Sequence, residues 1–207
     1  MPERGKYIVI EGTDGTGKST QASLIARKLN EIGIETVEFH EPDGVEISHA
    51  VREVIKNGSL ARTAFSNVLL FSVSRRENWL QQGKQALEMG KWLISARDYT
   101  STLVYQGYGE GIDLSLIEHI TLLSTDEDYI HPDHRIILDI DDEAERSRRI
   151  VGRGPLENPD TFESRDDEFQ QRLIEGYRTI AAERNFPIIP ANQPPGIITD
   201  QIWQIIR

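Results

Sequence analysis

The chain has 207 residues, 38% hydrophobic and 28% charged, which predicts one soluble globular domain with a sizeable core. It contains no cysteine, so disulfides and thiolate metal sites are excluded. A net charge of −11 disfavours nucleic acid as a partner, and the absence of a long apolar run or a leader-like start predicts a cytoplasmic protein with no membrane contact.

Tyr7-Ile8-Val9-Ile10 is β-branched and apolar and predicts a buried strand. Ser19 to Asn30 has helical spacing and stops at Gly33. Glu35 to His40 alternates and predicts a second strand. Val45 to Lys56, Ala64 to Leu80 and Gln82 to Met89 read as helices. Trp92-Leu93-Ile94 predicts the third strand, Leu114 to Leu123 a helix, and Arg135 to Ile140 the fourth strand after His131-Pro132. Glu143 to Val151 and Asp167 to Ala182 read as helices, Pro187 to Ile189 as a fifth strand, and Ile197 to Ile206 as a closing helix. Strands alternating with long helices predict an open parallel sheet covered on both faces. Its ligands belong at the carboxyl ends of the strands. The polar stretch "GRGPLENPDTFESRD", residues 152–166, lies between two helices and reads as a lid or a plain surface loop.

Between the first strand and first helix stands Gly12-Thr13-Asp14-Gly15-Thr16-Gly17-Lys18-Ser19, a full match to G-x-x-x-x-G-K-[ST] in its required context. Glycines let backbone N–H groups turn inward around phosphate oxygens, and the following helix aims its positive end at them. Lys18 reaches the β- and γ-phosphates, and the Ser19 hydroxyl can serve magnesium. This predicts ATP binding over Gly12 to Thr20, Thr20 included. No N-K-x-D for reading guanine is present. A chain of this size with such a loop points to a small-molecule kinase.

Further segments carry a resemblance. Glu41-Pro42-Asp43-Gly44, "LLFSVSR" ending at Arg75, "STLVYQG" from Ser101 to Gly107, and the stretches Pro132 to Asp141 and Phe169 to Ala182 follow in this order. Together with Tyr7 to Thr20 they resemble the thymidylate kinase family over nearly the whole chain. The resemblance implies a P-loop NTPase fold, a three-layer α/β/α sandwich with a five-stranded parallel sheet. It implies a single domain over residues 1–207 with a lid at about 149–166. It also implies ATP and dTMP as substrates, Mg2+ as cofactor, and a homodimer with Ala64 to Leu80 as candidate contact.

The resemblance implies the following site roles, position by position. Phe71 stacks on the thymine ring and Arg75 donates to a thymine carbonyl, one helical turn apart. Alone, Phe71 would equally suit a core and Arg75 a surface. Arg97 binds the acceptor phosphate; Asp14 faces the sugar 3′-hydroxyl; Tyr105 lies over the sugar. Glu41, Pro42, Ser101, Thr102 and Gln106 complete the acceptor side. Lys18, Arg97, Arg149 and Arg153 form the catalytic cation set, with Arg165 as a possible helper. Gly15 replaces the loop arginine of some members, which places this chain with the lid-arginine kind.

Several positions depart from the family pattern. Thr161 replaces the arginine of the lid's D-R-[IF]-E, His40 replaces an arginine, and Asp43 a glycine. Ala96 falls on the aspartate that ends the third strand. Magnesium is then expected mainly on Ser19, with Asp14, Glu11, Asp98 and Glu163 as other candidates. If the strand continued, Asp98 would share a side with Ala96. Two readings compete with dTMP phosphorylation: a kinase for another nucleoside monophosphate, and a non-catalytic nucleotide switch. The switch would be marked by loss of Lys18 or of every lid arginine, and neither is lost.

Overall fold

The computed structural model describes residues 3–152, 162 and 165–207. Five strands form one sheet: β1 (Tyr7–Glu11), β2 (Thr36–His40), β3 (Trp92–Ala96), β4 (His134–Asp139) and β5 (Ile188–Pro190). Every pairing is parallel, in the order β2-β3-β1-β4-β5. All five predicted strands are present, within two residues at each end. β1 is central, and its five residues are wholly buried.

Alternation along the strands divides the core in two. Ile8, Ile10, Ile94, Ile136 and Leu138 face α1 (Lys18–Glu31) and α10 (Pro195–Ile206), meeting Ala22, Ile25, Leu29, Ile198 and Ile202. Tyr7, Val9, Leu93 and Ile137 face the opposite layer. That layer contains α3 (Ala64–Asn78), α4 (Lys84–Glu88), α6 (Leu114–Ser124) and α9 (Asp167–Arg184), with α2 (Glu46–Lys56) packed on α3. The result is the expected three-layer α/β/α arrangement, with the chain reversing direction beside β1. Loops at the carboxyl ends of β1 and β3 therefore face a common crevice.

Two helical features go beyond the sequence expectation. A π-helical turn, Trp79–Gly83, joins α3 to α4 where two separate helices are predicted. A Cβ on Gly83 would lie 2.7 Å from the Trp79 ring, so the widened turn and the glycine together make room for the indole. After β3 the chain forms α5 (Tyr99–Thr102) and continues as a π-helix, Leu103–Gly109. The short helices α7 (Glu127–Ile130) and α8 (Glu143–Val151) flank β4. Among the described residues, no helix is long and apolar enough to cross a membrane.

Candidate active site

The loop after β1 wraps on itself. Thr16 Oγ1 and Lys18 Nζ both donate to the Thr13 carbonyl, at 2.9 and 2.7 Å. Gly12 has φ 140°, and a Cβ there would fall 2.2 Å from the Leu138 carbonyl, so only glycine fits between loop and β4. Gly15 has φ 89° and lies against Arg146, whose Cγ would be 3.1 Å from an added Cβ. α1 starts at Lys18 with no acidic residue in its first turn, so its positive end is not offset locally. Ser19 and Thr20 are exposed there.

β3 ends abruptly. Arg97 has φ 79°, a left-handed conformation that is uncommon and strained for a non-glycine residue. The turn swings its guanidinium toward β1. Nη2 donates to Asp14 Oδ1, and Nη1 to Ser101 Oγ at 2.9 Å. Asp14 also accepts from the Tyr105 hydroxyl at 2.8 Å. Burial, then the Asp14 charge, holds the Tyr105 phenol well above its ordinary range, so it remains a donor. Arg97 is likewise held above its ordinary range: burial is the largest single influence and opposes its charge, but Asp14, Tyr105, Tyr177 and Glu11 together outweigh it.

Glu11, fully buried, anchors this turn. It accepts from Asp98 N at 2.8 Å, Ser101 N at 3.0 Å, Ser101 Oγ at 2.9 Å and the Tyr177 hydroxyl at 2.8 Å. Burial, then the Asp98 charge, raises its pKa, against the pull of Arg97. Its carboxylate is occupied by protein donors, so the expectation of Glu11 as a metal acid is corrected.

Asp98 is corrected too. Because Arg97 breaks the strand, Asp98 does not share a side with Ala96. Its Oδ1 caps α5 through Thr100 N at 2.7 Å, and its Oδ2 takes Nε and Nη2 of Arg135 at 2.9 and 2.5 Å. Ala96 packs on the opposite face, in the apolar cluster with Ile10 and Ile94.

A cavity of about 420 Å³ opens beside the phosphate loop. All ten acceptor-side positions expected from the sequence line it: Asp14, Glu41, Pro42, Phe71, Arg75, Arg97, Ser101, Thr102, Tyr105 and Gln106. Ser19 and the divergent His40 and Asp43 line it as well. At its inner end Arg75 is 1% exposed. Its Nε donates to Glu41 Oε2 at 3.1 Å and to the Tyr129 oxygen at 3.0 Å, and its Nη2 to Thr102 Oγ1 at 2.9 Å. The Tyr129 hydroxyl donates to Glu41 Oε1. Burial pushes Glu41 up to about 7, although Arg75 and Tyr129 oppose the shift. Among the described residues, two buried polar atoms on the cavity's lining residues have no hydrogen-bond partner: Arg75 Nη1 and Gln106 Oε1. The Phe162 ring sits over this end, 6.5 Å from Phe71 and edge-on to Tyr105 at 5.7 Å.

Not every candidate reaches the cavity. Arg149 is held by Glu145 Oε1 at 2.7 Å and the Ala191 carbonyl at 2.9 Å, on the other side of the loop. Arg165 lies over the Phe169 ring at 4.3 Å and reaches Glu110 at 3.3 Å. Arg153, Thr161 and Glu163 lie outside the described residues. Sequence reasoning misses Tyr129, Arg135 and Tyr177, each of which contacts a site residue from a distant element.

Comparison with known proteins then bears on the whole chain. The family model described as thymidylate kinase matches residues 10–202. The chain belongs to the thymidylate kinase family. It is 35% identical to the thymidylate kinase of Carboxydothermus hydrogenoformans, over 98% of this chain and 95% of the relative. It is also 35% identical to that of Prochlorococcus marinus, over 98% and 97%. The crystal structure of the Ehrlichia chaffeensis thymidylate kinase superposes with a TM-score of 0.80 at 28% identity, covering 98% of each chain. As a thymidylate kinase family member the chain is a nucleotide-binding phosphotransferase with the P-loop fold.

Proposed function

We propose that this chain transfers the γ-phosphoryl group of ATP to dTMP, giving ADP and dTDP. The observation that carries this reading is the convergence of all ten acceptor-side residues on one cavity beside the phosphate loop. A pyrimidine slid against Phe71 would offer a ring carbonyl to Arg75 Nη1 and a ring N–H to Gln106 Oε1, two buried atoms of the cavity lining with no hydrogen-bond partner among the described residues. Thymine and uracil carry an acceptor and an N–H donor on adjacent ring positions, whereas cytosine carries the reverse pair.

The acceptor needs no general base. Its phosphate has a second pKa near 6, so the attacking oxygen is anionic at neutral pH. The residues must instead align two anions and offset their repulsion. Arg97, already oriented by Asp14 and Ser101, would hold the acceptor phosphate. Lys18 would leave the Thr13 carbonyl for the donor phosphates. Arg153, and Arg149 once freed from Ala191, would approach from the lid and complete the cation set.

The donor set fits a magnesium ion that arrives on the nucleotide. Ser19 is exposed at the cavity, Asp14 is engaged by Arg97 and Tyr105, and the carboxylates of Glu11 and Asp98 are consumed elsewhere. Ser19, phosphate oxygens and water would hold the ion, which would offset charge on the transferring group. The working form is read as a cytoplasmic homodimer.

An acceptor panel tests the reading: dTMP, dUMP, UMP, CMP, dCMP and dGMP with ATP, with and without magnesium. dTMP is expected to rank first, and dCMP to fall about a hundredfold or more below it, because mismatched buried polar groups go unpaired. If dTMP ranks below another acceptor, the reading is wrong.

A further inference from the structure

The left-handed turn at Arg97 is held at several points. Arg97 N donates to the Ile10 carbonyl at 3.0 Å, and the Arg97 carbonyl accepts from Ser95 Oγ at 2.6 Å. The next N–H, that of Asp98, goes to Glu11. Asp98 is 1% exposed and grips the far side of the turn through its cap on Thr100. The other Asp98 oxygen is held by Arg135.

Arg135 is built to do so. It comes from β4, is 7% exposed, and does not line the substrate cavity. Its guanidinium lies between the rings of Tyr99 and Phe186, with centroids at 5.2 and 4.9 Å. Nη2 also donates to the Ile130 carbonyl at 3.1 Å. Both remaining contacts, from Nε and Nη2, go to one oxygen of Asp98. A carboxylate this deeply buried retains its charge and place only while its partner is present. Without Arg135 the buried Asp98 side chain loses the two donors that fix its second oxygen, and the cap and the turn slacken with it.

We infer that Arg135 is a positioning residue for the acceptor phosphate: through Asp98 it fixes the turn that aims the Arg97 guanidinium into the cavity. Asp98 thus anchors the turn that holds the neighbouring arginine, with its own cation from β4. The inference rests on the reading of Arg97 as the acceptor-phosphate ligand.

Calorimetric binding of dTMP and of thymidine, which lacks the phosphate, separates the possibilities. Wild type is expected to bind dTMP far more tightly than thymidine, and Arg97→Ala to abolish that preference. Arg135→Met retains an apolar stem between the rings. It is expected to weaken dTMP binding by about tenfold to a hundredfold, the scale of a misplaced catalytic group. Thymidine affinity and the KM for ATP should stay within about twofold of wild type, and Arg135→Lys should recover part of the loss. If Arg135→Met does not fold, Arg135→Gln serves: it removes the cation but retains a side-chain N–H2 that can donate to Asp98.

Unchanged dTMP binding in these variants, or equal losses for dTMP and thymidine, would overturn the inference. If wild type shows no preference for the phosphate, or Arg97→Ala retains it, the reading of Arg97 itself falls and takes the inference with it.

Discussion

Glu41 and Arg75 occupy the innermost wall of the cavity, and their charges are not symmetric. Arg75 stays a cation, because a guanidinium does not deprotonate in proteins. Glu41 is pushed up to about 7 from its ordinary 4.5, chiefly by burial, so it titrates within the neutral range. Between those pH values the folded protein holds a proton that the unfolded chain has released. The resulting stabilisation is complete below pH 4.5 and is lost as pH rises through 7. Glu41→Gln removes this linkage. The stability of wild type relative to Glu41→Gln is expected to fall by up to about 3 kcal/mol between pH 4.5 and 8, in urea unfolding at each pH. A pH-independent difference would show that Arg75 holds Glu41 ionised throughout. The placement of Arg75 and Phe71 on the cavity wall is legible because one motif contains both, a helical turn apart. Tyr129 is not legible: it lies 54 positions from Arg75, on a four-residue helix that no periodicity announces.

At the scale of elements, the segment Tyr99–Gly109 is held against α9 by a reciprocal exchange of small and large residues. A Cβ on Gly109 would lie 2.6 Å from the Phe169 ring, and one on Gly176 would lie 2.9 Å from Tyr108 Cγ. This docking also brings Tyr177 to Glu11. Gly176→Ala should gain roughly 1 kcal/mol from helix propensity. The new methyl meets the base of the Tyr108 side chain rather than its tip, so the ring cannot simply rotate away. The net effect is expected to be a loss of about 1–2 kcal/mol, seen as a lower urea midpoint with unchanged slope. A raised midpoint would mean that the two elements separate without cost. The five strands and most long helices are legible, because period-two and 3.6-residue patterns survive in their buried faces. The π-helical segments are not, since a widened turn has no hydrophobic period of its own and exists here to fit Trp79 and the residues around Tyr105. The break after Ala96 is hidden for a related reason: a left-handed arginine is chosen by the contacts that hold it, not by its propensity.

For the whole molecule, the layer made of α2, α3 and α6 carries exposed apolar side chains on its outer face. Phe65, Leu69 and Val73 recur every four residues along α3 and are 39–45% exposed, so they form one stripe. Ile47 and Val54 on α2, and Leu116, Leu122 and Leu123 on α6, are exposed on the helices packed to either side. Exposed apolar side chains gathered on neighbouring helices are what a protein–protein contact covers. This outer face lies on the helical layer opposite α1 and α10, so a second copy could cover it while leaving the mouth beside the phosphate loop open. The chain's −11 charge opposes self-association in general, which makes a specific apolar contact the condition for a dimer. Sedimentation at micromolar concentration is expected to give a dimer for wild type and a monomer for the double variant Leu69→Glu, Val73→Glu. Both substituted positions are about half exposed, so the subunit fold should persist, which circular dichroism would check. Because α3 also carries Phe71 and Arg75, freeing its outer face should loosen the base pocket and raise the KM for dTMP more than that for ATP. A wild-type monomer, or a dimer that survives both glutamates, would place the contact elsewhere and leave the stripe without a partner.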